Sequence, residues 1–303
     1  MKRLQTLLTI ALLAVGMIAY GQSYTFRVLA NKGANQIKSG DTWVALKTGA
    51  SLKGTDEIKV SDNAYLGLMH SGGKTLEWKE AGTFKVSDIA TKVPQGSSVA
   101  SKYADFLAKK MTAEAQKNRL SATGAVTRAI EVAPINIYAP TGKVSVHSSE
   151  TVLRWDPLEA DGLTYTVTVT NMMGEELLSE ETSETHFNLN MKDERITKAE
   201  FANVVMVQIK TSEDESIASK EIAIEALDDD KNMLVNEGLE SLMSDIDSES
   251  ALNKYILAGF YEENNLLMDA LTNYEAAIEL APDVSTFKEA YDDFLIRNQF
   301  KRN

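Results

Sequence analysis

The spacing of apolar residues divides the chain at residue 228, and this division limits the possible folds more than any other feature. Before it, most apolar residues lie in short runs that alternate with polar residues and end near glycine or proline, as in half-buried strands. After three consecutive aspartates at 228–230, apolar residues recur every three or four positions, as in amphipathic helices. The sequence therefore predicts a multidomain β plus α protein with a C-terminal helical domain.

The first 21 residues are predicted to be a signal peptide. Lys2 and Arg3 precede an apolar run at residues 7–18, which is too short to span a bilayer, and small residues then occupy the two cleavage positions, Ala19 and Gly21. Cleavage is expected after Gly21, which leaves Gln22 as the first residue of the mature protein. The alternative is an uncleaved membrane anchor.

The chain has no cysteine. A lipid-attached bacterial lipoprotein needs a cysteine directly after its signal peptide, so this kind of anchor is excluded, as are disulfides and thiolate metal ligands. No segment after residue 21 is apolar enough to cross a membrane. We therefore expect a mature protein without a transmembrane segment, which is exported and is periplasmic or associated with the outer envelope.

Charge is distributed unevenly between the two parts of the mature chain. Residues 22–130 carry 16 basic and 9 acidic residues, a net charge of +7, whereas residues 131–303 carry 13 basic and 35 acidic residues, a net charge of −22. Such asymmetry predicts different partners for the two parts, with an anionic envelope surface as a candidate for residues 22–130. Solubility alone explains only the acidic part, and the large negative charge argues against nucleic acid as a partner.

Residues 22–95 are predicted to form a small all-β domain. Short strand patterns follow one another between glycines, and the segment HSGGKT between two of them is typical of a hairpin turn. The stretch WVALKTGASLKGTDEIKVSDNAYLGLMHSGGKTLEWKEAGTFKV resembles the FecR-like domain of gram-negative envelope proteins in its L..G..L, D.I.V and G.F.V patterns. Members that regulate sigma factors cross the inner membrane after a cytoplasmic segment, and since this chain has neither feature, that role is not implied. The alternative is an unrelated small barrel.

Residues 96–131 are predicted to be a helix followed by a linker. Five apolar residues lie on one narrow stripe of the helix, and residues 121–129 have no period; the stripe consists of Val99, Tyr103, Phe106, Leu107 and Met111. We favour a connecting helix packed on the first β domain, because a surface helix normally carries such a stripe. The alternative is a basic surface helix that meets an anionic partner.

Residues 132–227 are predicted to form a second β domain. Evenly spaced strand patterns over about a hundred residues are typical of a sandwich. The layout L.W.P......Y.V.V around Trp155 resembles fibronectin type III and related Ig-like domains. That resemblance implies that Trp155 lies between the two sheets as a core residue.

Residues 228–303 are predicted to form a helical domain built around one helical hairpin. The segment ALNKYILAGFYEENNLLMDALTNYEAAIELAP, residues 251–282, resembles a tetratricopeptide repeat at seven of eight signature positions, with Lys254 as the departure. The matching residues are Leu257, Ala258, Tyr261, Ala270, Tyr274, Ala277 and Pro282. We expect the small residues to allow close approach of the two helices, the tyrosines to fill the gaps, and Pro282 to end the second helix.

One repeat does not bury both of its faces, so the predicted helices near residues 232–246 and 285–297 are expected to flank it. Two outcomes stay open at this point. An apolar groove remains and binds a partner helix or peptide, or the four helices form a closed unit. Phe260 lies one position before the signature residue Tyr261 and is the candidate for an exposed, partner-binding residue.

The sequence shows no convincing catalytic, cofactor or metal site. The three histidines, His70, His147 and His186, are far apart and lack metal-ligand spacing. The segment DIDSES from Asp245 resembles the start of a calcium loop but lacks its glycine and its final glutamate. We therefore predict no catalytic residue, no cofactor, no metal site and no enzyme activity.

These observations favour a non-catalytic, exported protein–protein interaction or scaffolding protein of the gram-negative periplasm or envelope, whose partner is another envelope protein. The resemblances support this because all three domain types serve as binding or scaffolding modules. The main alternative is a carbohydrate-binding or adhesive surface protein that uses the sandwich loops. A hydrolase with an unrecognised site is the third possibility.

Overall fold

The structure is a computed structural model that describes residues 24–94, 98–110, 133–140, 142–159, 162–200, 203–244, 246 and 249–300. The predicted signal peptide, its cleavage site and most of the predicted linker lie outside the described residues. Within them the protein combines β-sheets with helices, and the C-terminal part is helical, as predicted. No helix of this part of the chain is both long and apolar enough to cross a membrane.

The strands and helices follow one another as the sequence predicts from its two apolar spacings, which are alternation for strands and a spacing of three or four residues for helices. The strands of the described residues are β1 Phe26–Lys32, β2 Gln36–Ser39, β3 Thr42–Ala45, β4 Ser51–Leu52, β5 Glu57–Val60, β6 Tyr65–His70, β7 Thr75–Trp78, β8 Gly82–Lys85, β9 Lys143–Val146, β10 Glu150–Arg154, β11 Tyr165–Thr170, β12 Glu176–Thr182, β13 His186–Asn190, β14 Val204–Thr211 and β15 Ile222–Ala226. The helices are α1 Val86–Ala90, α2 Ala100–Lys110, α3 Glu194–Thr197, α4 Asp229–Met243, α5 Ala251–Glu263, α6 Leu267–Leu280 and α7 Ser285–Arg297.

The first β unit, β1 to β8 with α1, consists of two four-stranded antiparallel sheets with the strand orders β4-β1-β6-β7 and β3-β2-β5-β8. Both sheets contribute to one apolar core, which includes Phe26, Leu52, Ile58 and Leu66. Strands β6 and β7 form the hairpin predicted from HSGGKT. Gly73 in its turn has φ +87°, and a Cβ there would lie 2.3 Å from the carbonyl oxygen of Ser98, so no other residue fits without a backbone shift.

The second β unit, β9 to β15 with α3, contains a five-stranded sheet of order β12-β11-β14-β15-β9 and a two-stranded sheet of β10 and β13. The alternating residues Tyr165, Val167 and Val169 of β11 point into a core shared by both sheets. Trp155 is 1% exposed in this core, as predicted, and packs edge-on against Tyr165 with ring centroids 5.3 Å apart.

The helical unit consists of α4 to α7. The carboxylate of Asp228 accepts a hydrogen bond from the backbone N–H of Lys231 and caps α4, and the hydroxyl of Ser250 caps α5 in the same way at Asn253. A three-residue connection joins α5 to α6, and Asn265 within it has φ +58°, a conformation that asparagine tolerates better than most residues. Helix α7 then packs on α6.

The helical unit packs on both β units. In the first β unit the sheet β4-β1-β6-β7 is covered on both faces, since Leu66 and Leu68 of β6 face that unit's own core while Tyr65 and Met69 belong to the core of the helical unit. This double burial explains why YLGLM of β6 is apolar without alternation. On the other side, α6 packs along β9 and β10, and its Met268 belongs to the core of the second β unit.

Helix α2 departs from our expectation of a connector packed on the first β unit. Its apolar residues Tyr103, Ala104 and Leu107 are buried mainly against α5 of the helical unit, with a smaller contact to β6. A Cβ added to Gly259 of α5 would lie 2.8 Å from Cγ of Leu107, so the two helices approach closely at a glycine. Residues 111–120 of the predicted helix lie outside the described residues.

Candidate interaction surfaces

The tetratricopeptide-like signature residues are concentrated inside the helical unit. Six of the seven are buried in its core: Leu257, Ala258, Tyr261, Ala270, Tyr274 and Ala277. Pro282 is exposed in the turn that follows α6. Because proline lacks a backbone N–H and disfavours helical backbone in the preceding residue, it ends α6 where the sequence predicted an end.

Phe260 is not exposed, and the prediction that it forms a partner-binding anchor is wrong. Its side chain is 1% exposed and packs edge-on against Tyr103 of α2, with ring centroids 5.1 Å apart. A Cβ added to Gly238 of α4 would lie 3.1 Å from the Phe260 ring, so α4 closes the pocket from another side. The sequence pattern placed Phe260 off the inner face of the hairpin, but it could not show that α2, about 150 residues earlier, covers that outer face.

A buried ion pair joins the three last helices at the centre of the helical unit. The guanidinium of Arg297 in α7 donates two hydrogen bonds from Nη2, at 2.8 and 2.9 Å, to the two carboxylate oxygens of Glu262 in α5. The hydroxyl of Tyr274 in α6 donates to the same carboxylate at 2.8 Å. Burial raises the pKa of Tyr274 well above its usual value, and the charge of Glu262 adds to this effect. The tyrosine therefore stays protonated and acts as a donor.

Glu77 of β7 connects the first β unit to α5. Its Oε1 accepts hydrogen bonds from the hydroxyl of Tyr65 at 2.7 Å and from the backbone N–H of Leu252 at 3.1 Å. Burial opposes ionisation of Glu77, but these hydrogen bonds together with Lys79 outweigh burial and lower the pKa of the carboxyl. The charged form of Glu77 is thus part of this contact.

Two ion pairs add to the contacts of the first β unit with the rest of the protein. Arg27 of β1 pairs with Asp105 of α2 at 2.6 Å, and Lys32 pairs with Asp283 after α6 at 3.2 Å. In each pair the basic member belongs to the N-terminal, positively charged part of the chain. The second pair reaches the acidic part, so some of the charge asymmetry is used within the molecule.

Asp269 of α6 connects the helical unit to the second β unit. Its side chain is buried, and its two carboxylate oxygens accept hydrogen bonds from the backbone N–H groups of His147 and Ser148 at 3.0 and 2.8 Å. Nearby, Arg154 of β10 forms an ion pair with Glu275 of α6. These contacts are specific in geometry, because a carboxylate moved away from its donors would stay buried without partners.

His147 itself lies in the same contact region, where both of its ring nitrogens have partners. Its Nε2 lies 2.9 Å from Oδ1 of Asn236 in α4, and its Nδ1 lies 3.3 Å from the hydroxyl of Tyr261. Burial raises the pKa of Tyr261 to about 12. The imidazole tautomer with its proton on Nε2 donates to Asn236 and accepts from Tyr261, which satisfies both contacts.

The other sequence candidates for chemistry stay apart. His70 ends β6, where its Nδ1 accepts the backbone N–H of Gly72, and His186 begins β13 in the second β unit. Among the described residues, no three His, Cys, Asp or Glu side chains are grouped so that they could hold a metal ion. The calcium-loop-like segment from Asp245 lies largely outside the described residues.

One surface of the first β unit carries an aromatic side chain that the sequence did not single out. The outer face of the sheet β3-β2-β5-β8 presents Trp43, which belongs to none of the apolar clusters of the described residues. In the segment DTWVAL both Trp43 and Val44 are apolar, so strand alternation alone does not say which of them faces the solvent. The pairing of β3 with β2 places Trp43 on the face of Lys38 and Val44 on the face of Ile37. Both side chains reach the solvent, since Trp43 is partly exposed and Val44 is 44% exposed.

A scan against protein-family models finds no family that matches the chain, and a search of curated proteins finds no match. The resemblances to FecR-like, fibronectin type III and tetratricopeptide domains therefore stay predictions. The function has to be argued from the surfaces described above.

Proposed function

We propose that the protein is a non-catalytic, exported interaction or scaffolding protein of the gram-negative periplasm or outer envelope. In this proposal the helical unit holds the two β units in one fixed arrangement, and the outer surfaces of the β units bind other envelope components. The observation that carries the proposal is the position of the helical unit, which shares core residues with the first β unit and sends Met268 into the core of the second.

Buried polar contacts support a fixed arrangement over a loose one. Asp269 accepts two backbone N–H groups of the second β unit, and Glu77 of the first β unit accepts the backbone N–H of Leu252. A buried polar group that loses its partner costs about 1–3 kcal/mol, so small rotations between the units are unfavourable. Apolar contacts alone tolerate such shifts more easily, because they are not directional.

The helical hairpin serves this internal role instead of offering an apolar groove at Phe260. Helix α2 covers α5, while β9, β10 and α7 contact α6. The partner-binding role therefore moves to the outer surfaces of the β units. For residues 22–130, with a net charge of +7, an anionic envelope surface or an acidic envelope protein is the matching partner.

The carbohydrate-binding alternative, as predicted from the sequence, used the loops of the second β unit. Trp155 does not serve that purpose, since it is buried in the core. An aromatic platform for a sugar has to be found elsewhere, and Trp43 of the first β unit, which is partly exposed, is a candidate among the described residues.

Site-specific photo-crosslinking in intact cells tests the proposal. A photoreactive amino acid at position 83, on the outer face of the first β unit, is expected to give a covalent adduct with an envelope component when the protein is expressed in its native host. The matched control places the same amino acid at position 220, an exposed lysine of the second β unit. Recovery of the uncleaved chain from the cytoplasm, without any adduct at either position, would contradict the proposal.

A further inference from the structure

The outer face of the sheet β3-β2-β5-β8 has an unusual composition for a solvated sheet surface. Ile37 and Ile58 belong to the core of the first β unit, so the residues that alternate with them face the solvent. Strand pairing places these outward residues in two cross-strand rows. One row contains Trp43, Lys38, Glu57 and Lys85, and the other contains Ala45, Gln36, Lys59 and Thr83.

The chain has three tryptophans. Trp78 and Trp155 belong to apolar cores of the described residues, whereas Trp43 does not. Lys38 lies directly opposite Trp43 on β2, with its Nζ 5.9 Å from the centre of the ring. This cross-strand contact stabilises the sheet, and the side chain of Trp43 stays partly exposed beside it.

The charges on this face are mainly positive. Glu57 is engaged by Lys38, whose Nζ lies 2.9 Å from Oε2 of Glu57, and Asp41 lies in the turn between β2 and β3. Among the described residues, neither Lys59 nor Lys85 takes part in an ion pair within the molecule. Both are exposed on the neighbouring strands β5 and β8, so they add positive charge to the part of the face that lies two and three strand spacings from Trp43.

We propose that this face binds an acidic polysaccharide. The C–H face of one sugar ring packs on the indole of Trp43, while Lys59 and Lys85 pair with carboxylate or sulfate groups of neighbouring sugar units. Strand β8 lies three strand spacings from β3, a distance of about 14 Å, so the sheet offers a flat track for a short stretch of polymer. Gln36 in the adjacent row supplies an amide that hydrogen-bonds sugar hydroxyls.

Charge complementarity and the aromatic platform together select this occupant. A neutral sugar gains nothing from Lys59 and Lys85. An anionic membrane also attracts an indole beside lysines, but the two outward rows hold no other large apolar side chain that could insert into a membrane, so an acidic polymer matches this flat face better. This inference rests on the proposed function, because it specifies which class of anionic partner residues 22–130 bind.

Isothermal titration calorimetry of the complete mature protein with an oligogalacturonate tests the inference. We expect binding that weakens as salt rises, and no binding of a neutral dextran oligosaccharide of the same length. Trp43→Ala should raise the Kd about tenfold, the change that one lost stacking contact produces. The double variant Lys59→Gln/Lys85→Gln should also raise the Kd and should flatten the salt dependence.

The matched control is Lys192→Gln/Lys220→Gln, which removes two exposed lysines of the second β unit and should leave the Kd unchanged. Thermal melting of each variant checks the fold. If Trp43→Ala lowers the melting temperature, the lysine double variant decides the test, because it leaves the contact between Lys38 and Trp43 intact.

Three results would overturn the inference. They are equal binding of the neutral and acidic oligosaccharides, an unchanged Kd in the lysine double variant, and binding to vesicles of phosphatidylglycerol with no binding to the oligogalacturonate. The last result would leave the proposed function standing with a lipid as the partner. Loss of all cellular crosslinks together with intact oligogalacturonate binding would reject the scaffolding function and keep the sugar site.

Discussion

Single residues in this protein fix contacts between elements that are distant in the sequence. Glu77, Asp269 and Glu262 are carboxylates that each accept hydrogen bonds from another element, and none of them is marked by a motif. Their effect comes from burial, which makes a charged group without a partner costly and a partnered one specific in geometry. The signature residues of the hairpin are apolar or small and fill the space around these polar contacts.

Replacement of Phe260 by serine should destabilise the helical unit strongly. Phe260→Ser removes a ring that is 1% exposed and places a hydroxyl in an apolar pocket, so we expect a loss of about 3–5 kcal/mol in the free energy of unfolding. Urea denaturation followed by circular dichroism measures this loss. The control Leu280→Ser changes a side chain that is 50% exposed and should alter the free energy by less than about 0.5 kcal/mol.

The contact of Glu77 should make stability depend on pH in the acid range. Hydrogen bonds from Tyr65 and Leu252 lower the pKa of Glu77 below its usual 4.5, so the folded state binds the proton less tightly than the unfolded state. The stabilisation from this group is therefore present above about pH 4.5 and is lost as the pH falls through the lowered pKa.

Glu77→Gln should consequently cost about 1–3 kcal/mol at pH 7, and the difference between the variant and the wild type should shrink as the pH falls from 7 to 3. Urea denaturation at several pH values measures it, with the exposed neighbour Glu80→Gln as the control. A difference that grows towards low pH would contradict the assigned role of the carboxylate.

At the scale of elements, the sequence predicted much of the local structure. The alternation within residues 22–95 and 132–227 predicted the strands, and the three- and four-residue spacing after residue 228 predicted α4 to α7 with the break at Pro282. These signals are local, because strand and helix periods are properties of neighbouring residues. The burial of Trp155 was also predicted, as an implication of the resemblance to fibronectin type III and Ig-like domains.

The contacts between elements were not predictable from one sequence. The outward position of Trp43 depends on the register of β3 with β2, and the burial of Phe260 depends on the packing of α2 against α5. In the same way, no local feature showed that Asp269 meets the backbone of His147. Contacts between residues far apart in the chain produce no regular spacing of apolar residues by which they could be predicted.

The close packing of α5 on α6 should make Ala270 intolerant of a larger side chain. Ala270 is fully buried in the core of the helical unit, so Ala270→Leu should overpack it and cost about 1–3 kcal/mol. Thermal unfolding by calorimetry measures the change. The control Glu279→Leu places the same side chain at an exposed position of α6 and should leave the melting temperature nearly unchanged.

At the scale of the whole molecule, the helical unit is the part on which the arrangement depends. It covers one face of the sheet β4-β1-β6-β7 and packs along β9 and β10, so both β units lose buried surface if the helices unfold. The outer sheet face with Trp43 lies on the first β unit, on the sheet that does not contact this core. The contacts that join the units and the face that we propose for binding thus lie on different surfaces of one molecule.

Hydrogen exchange of the mature protein, followed by mass spectrometry, tests the central claim that the helical unit holds both β units. In the Ala270→Leu variant we expect faster exchange not only in α5 and α6 but also in β1, β6, β9 and β10, because these strands lose the cover of the helices. Strands β2 and β5 of the outer sheet should keep their protection. Faster exchange confined to the helices, with wild-type protection in all four contacting strands, would contradict the account.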